Sequence, residues 1–180
     1  MIDGQDRPKL PSAIERLAAT GPFAPDQQDL MLYGRLVGAW DVEWVRQVGG
    51  KPAEHRRAEW HFAWVLGGRG VQDVIWRVGD ARQNDGTTLR CWDRELSAWR
   101  VAFMSPGDGE FVTLLGRPEG DRIVQDVIDR SPNAHPDGHA ERWTFAEITE
   151  TSFLWQAERS SDGWRSWDVT HEMRASRRAE

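Results

Sequence analysis

From residue 39 onward, apolar and polar side chains alternate, which is the period of a strand with one buried face. Residues 39–48 place Trp40, Val42 and Trp44 against Asp41 and Glu43, and residues 57–66 repeat the pattern with Trp60, Phe62 and Trp64. Further strands are expected at 71–77, 87–93, 98–104, 110–116, 122–129, 140–147, 152–158 and 165–173. The joints are short and rich in Gly, Asp and Pro, as in Gly49-Gly50, Gly67-Gly68, Pro106-Gly107-Asp108-Gly109 and Ser161-Asp162-Gly163. Nothing between them is long enough for a crossover helix, so the strands should be antiparallel neighbours. About ten such strands either expose two edges or close on themselves. The expected fold is therefore all-β, an antiparallel up-and-down barrel of about ten strands. A β-sandwich would need longer Greek-key connections.

Before residue 39 the period is helical. Ser12 and Glu15 have the spacing of a capping box, with Ile14 and Leu17 on the apolar side, and Thr20-Gly21-Pro22 ends that short helix. A second helix is expected from Asp26, with Leu30, Tyr33, Leu36 and Val37 at helical spacing, ending at Gly38. One or two short helices would thus cover one end of the barrel. The chain divides into an N-terminal segment (1–25), a barrel (26–175) and a polar tail (176–180).

Composition adds one unusual feature: 11 Trp in 180 residues, against one Tyr and six Phe. Tryptophan buries a large area and brings an N–H that wants a partner. That many suit a heavily aromatic core, or the wall of a pocket for a flat ligand. The net charge of −6, with 23 basic and 29 acidic residues, lacks the concentrated basic surface of a nucleic-acid groove. A single cysteine, Cys91, excludes an internal disulfide and a multi-thiolate metal site. No apolar run approaches the roughly 20 residues of a membrane helix. The polar residues 1–8 lack the apolar core of a signal peptide, so a cytoplasmic protein is expected, with no membrane or nucleic-acid partner and with room for a homodimer.

Gly38-Ala39-Trp40 opens the first strand, and Arg174 and Arg177 close the last. In this the chain resembles the calycin superfamily (lipocalins, fatty-acid-binding proteins and relatives). There a Gly-x-Trp begins the barrel and a basic residue from its end packs across that Trp. The resemblance implies a plug of Trp40 with either Arg174 or Arg177, Arg174 being taken first. A guanidinium on an indole face is physically sound. Over roughly residues 30–175 the chain is closer still to a set of uncharacterised bacterial lipocalin-like domains. Leu36-Val37-Gly38-Ala39-Trp40, Leu66-Gly67-Gly68-Arg69, Ser160-Ser161-Asp162-Gly163-Trp164 and Glu172-Met173-Arg174 carry that likeness. It implies a fold and a ligand cavity, but no particular ligand.

Taking the more apolar row of each strand as the interior gives a candidate wall. Trp44, Trp64, Phe103, Trp143 and Trp155 would supply stacking area, with Trp167, Val169, His171 and Met173 as the last row. The polar residues on these rows are Arg46, Gln72, Arg90, Thr113, Gln125, Glu141 and His171. Buried polar groups need partners, so Gln72, Arg90, Gln125 and His171 are candidates to orient a ligand. Residues 71–77 nearly repeat at 124–130, six of seven positions matching. Either the Gln72/Gln125 pair or the Asp73/Asp126 pair would then face the cavity.

The function expected is binding of a small hydrophobic or aromatic molecule, with no cofactor. The rival is a cavity-type enzyme (isomerase, cyclase or hydrolase) using His171, Glu141 and Arg90. Haem is a further alternative through His171, since nitrobindins carry a late axial His, although their Gly-rich signature is absent. His135 and His139 lie in a Pro- and Gly-containing loop and are not expected to form a metal site.

Overall fold

The computed structural model describes residues 11–48, 51–79, 84–107, 109–131 and 140–179. Ten strands follow two helices: α1 (Ser12–Leu17), α2 (Gln27–Gly34), β1 (Gly38–Val48), β2 (Lys51–Val65), β3 (Gly70–Arg77), β4 (Asn84–Asp93), β5 (Ala98–Ser105), β6 (Glu110–Glu119), β7 (Arg122–Ser131), β8 (Ala140–Ala146), β9 (Ser152–Ser160) and β10 (Asp168–Arg177). Each strand pairs antiparallel with its neighbours in the chain. β1 pairs with both β2 and β10, which closes the barrel. Closure removes the two open sheet edges that ten strands in a row would otherwise expose.

Several boundaries differ from the expectation. β2 starts at Lys51 rather than at residue 57, because polar Glu54 and Arg56 continue its inward row toward the open end. β10 runs Asp168–Arg177 rather than 165–173. The residues before it are held in a turn by Asp162, whose carboxylate accepts hydrogen bonds from Arg165 N, Ser166 N, Ser166 Oγ and Ser160 Oγ. Trp167 therefore lies outside the barrel, under the Arg142 guanidinium at 4.0 Å. The Ser12–Glu15 capping box does not form. Pro11 occupies the N-cap position of α1, and no side chain caps it.

The base of the barrel is closed by α2. Leu30 and Tyr33 on this helix, with Leu36 just beyond it, are fully buried. They pack on a dense aromatic layer. Tyr33 meets the edge of Trp99 (4.7 Å) and Phe145 (6.3 Å), and Trp40 meets Phe153 (4.7 Å). The segment joining α1 to α2 is tied to the turn after β2 through Ala19 N to Trp64 O and Phe23 N to Gly68 O, both 3.0 Å. Gly68 sits at φ +81°, and a Cβ there would strike the Gly21 carbonyl, so only glycine permits this approach. Among the described residues no helix is long and apolar enough to cross a membrane.

Candidate functional site

Away from α2 the interior opens into a cavity of about 630 Å³. Its apolar wall is Trp44, Trp60, Phe103, Trp143, Trp155 and Met173, all on the inward rows of their strands. The rings interlock edge to face: Phe103 with Trp143 at 5.3 Å, Trp143 with Trp155 at 5.5 Å, Trp155 with Trp60 at 6.3 Å. Ala58 and Ala157 lie between these larger side chains and leave the space. Ala157 is flanked across the sheet by Trp143 and His171. A volume of this size suits a small organic molecule.

The floor is polar and fully buried. Arg90 Nη1 donates to Asp73 Oδ2 at 2.5 Å, and both side chains are about 1 % exposed. Asp73 Oδ1 also accepts Thr88 N (3.2 Å). The Arg90 guanidinium lies against the rings of Tyr33, Phe62 and Phe145 at 5.2–5.8 Å. A charge this deep is tolerated because Asp73 compensates it. Beneath it, Tyr33 donates to Gln125 Oε1 (3.1 Å). Burial pushes the Tyr33 hydroxyl well above its ordinary pKa, against the opposing pull of Arg90, so it stays a neutral donor. Trp60 Nε1 and Arg90 Nε make no hydrogen bond among the described residues.

The rim is charged. Among the described residues the wall includes five arginines (46, 56, 77, 90 and 159) and three carboxylates (73, 110 and 141). Arg46 and Arg56 share the single carboxylate of Glu54, and Arg56 also lies over Trp44 at 5.2 Å. Glu141 accepts Trp143 Nε1 at 3.0 Å and faces Arg159 at 4.0 Å. His171 stacks on Trp44 (5.5 Å, 30°) and its Nδ1 is 3.2 Å from Thr170 Oγ1. A register shift between Val169 and His171 is a bulge that turns both Thr170 and His171 to the cavity wall.

The structure thus gathers Trp44, Arg90, Phe103, Glu141, Trp143, Trp155 and His171 around one space. Four other expectations are corrected. Trp64 is buried but packs at the closed end, its ring against Gly34 of α2, because the inward row of β2 runs the barrel's full height. Gln72 points outward and donates to Thr87 Oγ1 (3.1 Å), whereas Asp73 points in. The more apolar row of β3 was misjudged because Trp76 lies outside, stacked on His61 at 4.6 Å. Gln125 does face inward, but below the cavity floor beside Tyr33, while Asp126 is on the outer side. The two echoed segments are therefore out of phase, the first Gln lying on the outer row and the second on the inner. Thr113 likewise faces outward, since Val112 and Leu114 take the inner row.

The plug is Trp40 with Arg177, not Arg174. Arg174 lies on the outer row and reaches Glu172 and Glu147. Arg177 shares the row of Met173 and Ala175, is the register partner of Trp40, and sits 4.1 Å over its ring. Gly38, at φ +132°, is where a Cβ would meet the Arg177 guanidinium. His135 and His139 lie outside the described residues. Trp60 and Arg56 were not among the candidate site residues, and Asp73 was offered only as the alternative to Gln72. Arg56 was hidden by starting β2 at residue 57, six residues too late.

These features define a class: a closed ten-stranded antiparallel barrel, plugged by a helix at one end and holding an aromatic cavity at the other. The fold is similar to the crystal structure of Rv2717c from M. tuberculosis, with a TM-score of 0.52 and 14 % sequence identity over 84 % of this chain and 98 % of that one. No protein-family model matches the chain, and no curated protein matches it.

Proposed function

We propose that this chain is a calycin-type binding protein that holds a small hydrophobic or aromatic molecule in the upper barrel. The observation that carries this reading is the contrast between the two ends. The lower barrel is filled by interlocking rings, whereas the upper barrel leaves about 630 Å³ bounded by Trp44, Trp60, Trp143 and Trp155. Aromatic faces that supply stacking area, with polar and charged groups around them to fix orientation, are what a small-molecule pocket needs. Catalysis is less favoured, because two of the three acid–base candidates are already engaged: Arg90 with Asp73, and Glu141 with Trp143 and Arg159. Haem is the alternative occupant. His171 would hold the iron, and its Nδ1 contact to Thr170 is the kind of outer contact that orients a metal-bound imidazole.

Uptake of the neutral dye N-phenyl-1-naphthylamine tests the proposal. The expected result is saturable, one-to-one enhancement of dye emission. Ala157→Leu, which places bulk between Trp143 and His171, should abolish that enhancement while leaving the melting temperature intact. Absence of uptake by the wild type would overturn the binding reading. A Soret band formed with hemin and lost in His171→Ala would instead establish the haem alternative.

A further inference from the structure

The polar groups of the cavity are biased toward donors and positive charge, although the chain as a whole is acidic. At the rim, Arg46 on β1 and Arg56 on β2 both reach the carboxylate of Glu54, with Arg46 Nε at 3.6 Å and Arg56 Nε at 2.8 Å. Two guanidiniums on one carboxylate leave a surplus positive charge and several N–H donors facing the opening. Glu54 engages only some of the N–H donors that two guanidiniums carry, so donors remain for a second carboxylate. Deeper in, Trp60 Nε1 and Arg90 Nε are N–H donors without a hydrogen bond among the described residues, though both atoms are buried behind the cavity surface, and Glu141 adds a carboxylate to the same wall. An aromatic wall with a surplus of guanidinium at its rim is complementary to a ring system bearing a negative charge.

Resting on the binding reading above, we propose that the ligand is an aromatic carboxylate whose charged group is held by Arg46 and Arg56 and whose rings lie against Trp60, Trp143 and Trp155. Arg56 is the pivot, since its guanidinium also lies over Trp44 and so links the charged rim to the aromatic wall. Both arginine side chains are part-exposed, so the attraction is moderated by water and weakens as salt rises.

Calorimetric titration with 2-naphthoate and its neutral isostere 2-naphthamide separates this proposal from the one it rests on. The wild type should bind naphthoate about tenfold more tightly, the factor expected of one charge-assisted hydrogen bond. The double variant Arg46→Gln/Arg56→Gln should lose that preference while still binding naphthamide. Glu54→Gln removes the competing carboxylate and should tighten naphthoate alone. Arg174→Gln, on the outer face, should change neither. Equal affinity of the wild type for the two probes would overturn the anion assignment and leave the cavity reading standing. A preference that survives the double substitution would overturn the role of Arg46 and Arg56. Failure of both probes to bind would overturn the cavity reading together with this one.

Discussion

Two arginines three positions apart near the end of β10 do opposite things, and strand parity alone separates them. Arg177 lies over the Trp40 ring and donates to three backbone carbonyls: Val37 (3.0 Å), Arg35 (3.4 Å) and Glu150 (2.5 Å). It thereby ties the turn after α2 and the β8–β9 turn to the last strand. Charge-assisted hydrogen bonds and the stacked guanidinium together lead to an expected loss of about 2–3 kcal/mol in Arg177→Ala. Arg174 is exposed and reaches only the exposed Glu147 and the part-buried Glu172, so Arg174→Ala should stay within about 0.5 kcal/mol of the wild type. Urea denaturation of the two variants measures the difference directly. Equal losses would mean that the plug does not act as the geometry indicates.

At the scale of the element, the turn between β9 and β10 is organised by one carboxylate. Hydrogen bonds from the Ser166 hydroxyl and backbone, then from Ser160 and Arg165, hold the Asp162 carboxyl down to about 2 from an ordinary 3.8. A group whose pKa is lower in the folded chain stabilises the fold when ionised. That contribution is complete above about pH 4 and is lost as the pH falls toward 2. In thermal melts across this range, the gap between wild type and Asp162→Asn should be constant above pH 4 and should shrink below it. A gap independent of pH would show that the turn does not depend on the ionised carboxylate. The same turn explains why β10 was misplaced in the sequence. Alternation places Trp167 on the row of Val169 and His171, but Asp162 holds residues 161–166 off the sheet and a bulge at Thr170 resets the row. Alternation is legible where both rows differ sharply in polarity, as in β1, β2, β5, β8 and β9, and those strands carry the aromatic wall. It fails where a single Trp lies outside, as in β3, or where one unpaired residue shifts the phase. The Arg90–Asp73 pair was only half legible for that reason: Arg90 lay on a clear row, whereas Asp73 was masked by Trp76.

For the whole molecule, the barrel divides the work of its aromatic residues by height. Phe145 belongs to the closed end, where it is fully buried among Tyr33, Trp60, Phe62, Phe153 and the Arg90 guanidinium. Phe103 belongs to the open end, half-buried, with Trp143 as its ring partner and the cavity on its other side. Truncating a packed Phe costs the transfer energy and leaves a void that tight neighbours cannot fill, about 3–5 kcal/mol. Truncating one that already borders open space creates little new void, so Phe103→Ala should cost about 1–2 kcal/mol. The order reverses for binding. Phe103→Ala removes part of the surface that a ligand would touch and should weaken dye uptake several-fold. Phe145→Ala should leave uptake nearly unchanged under conditions where the variant is still folded. Denaturant titration and dye titration on the same two variants test this division together. If stability and binding fell in parallel in both, the two ends would form one continuous core, and the upper space would have no separate role.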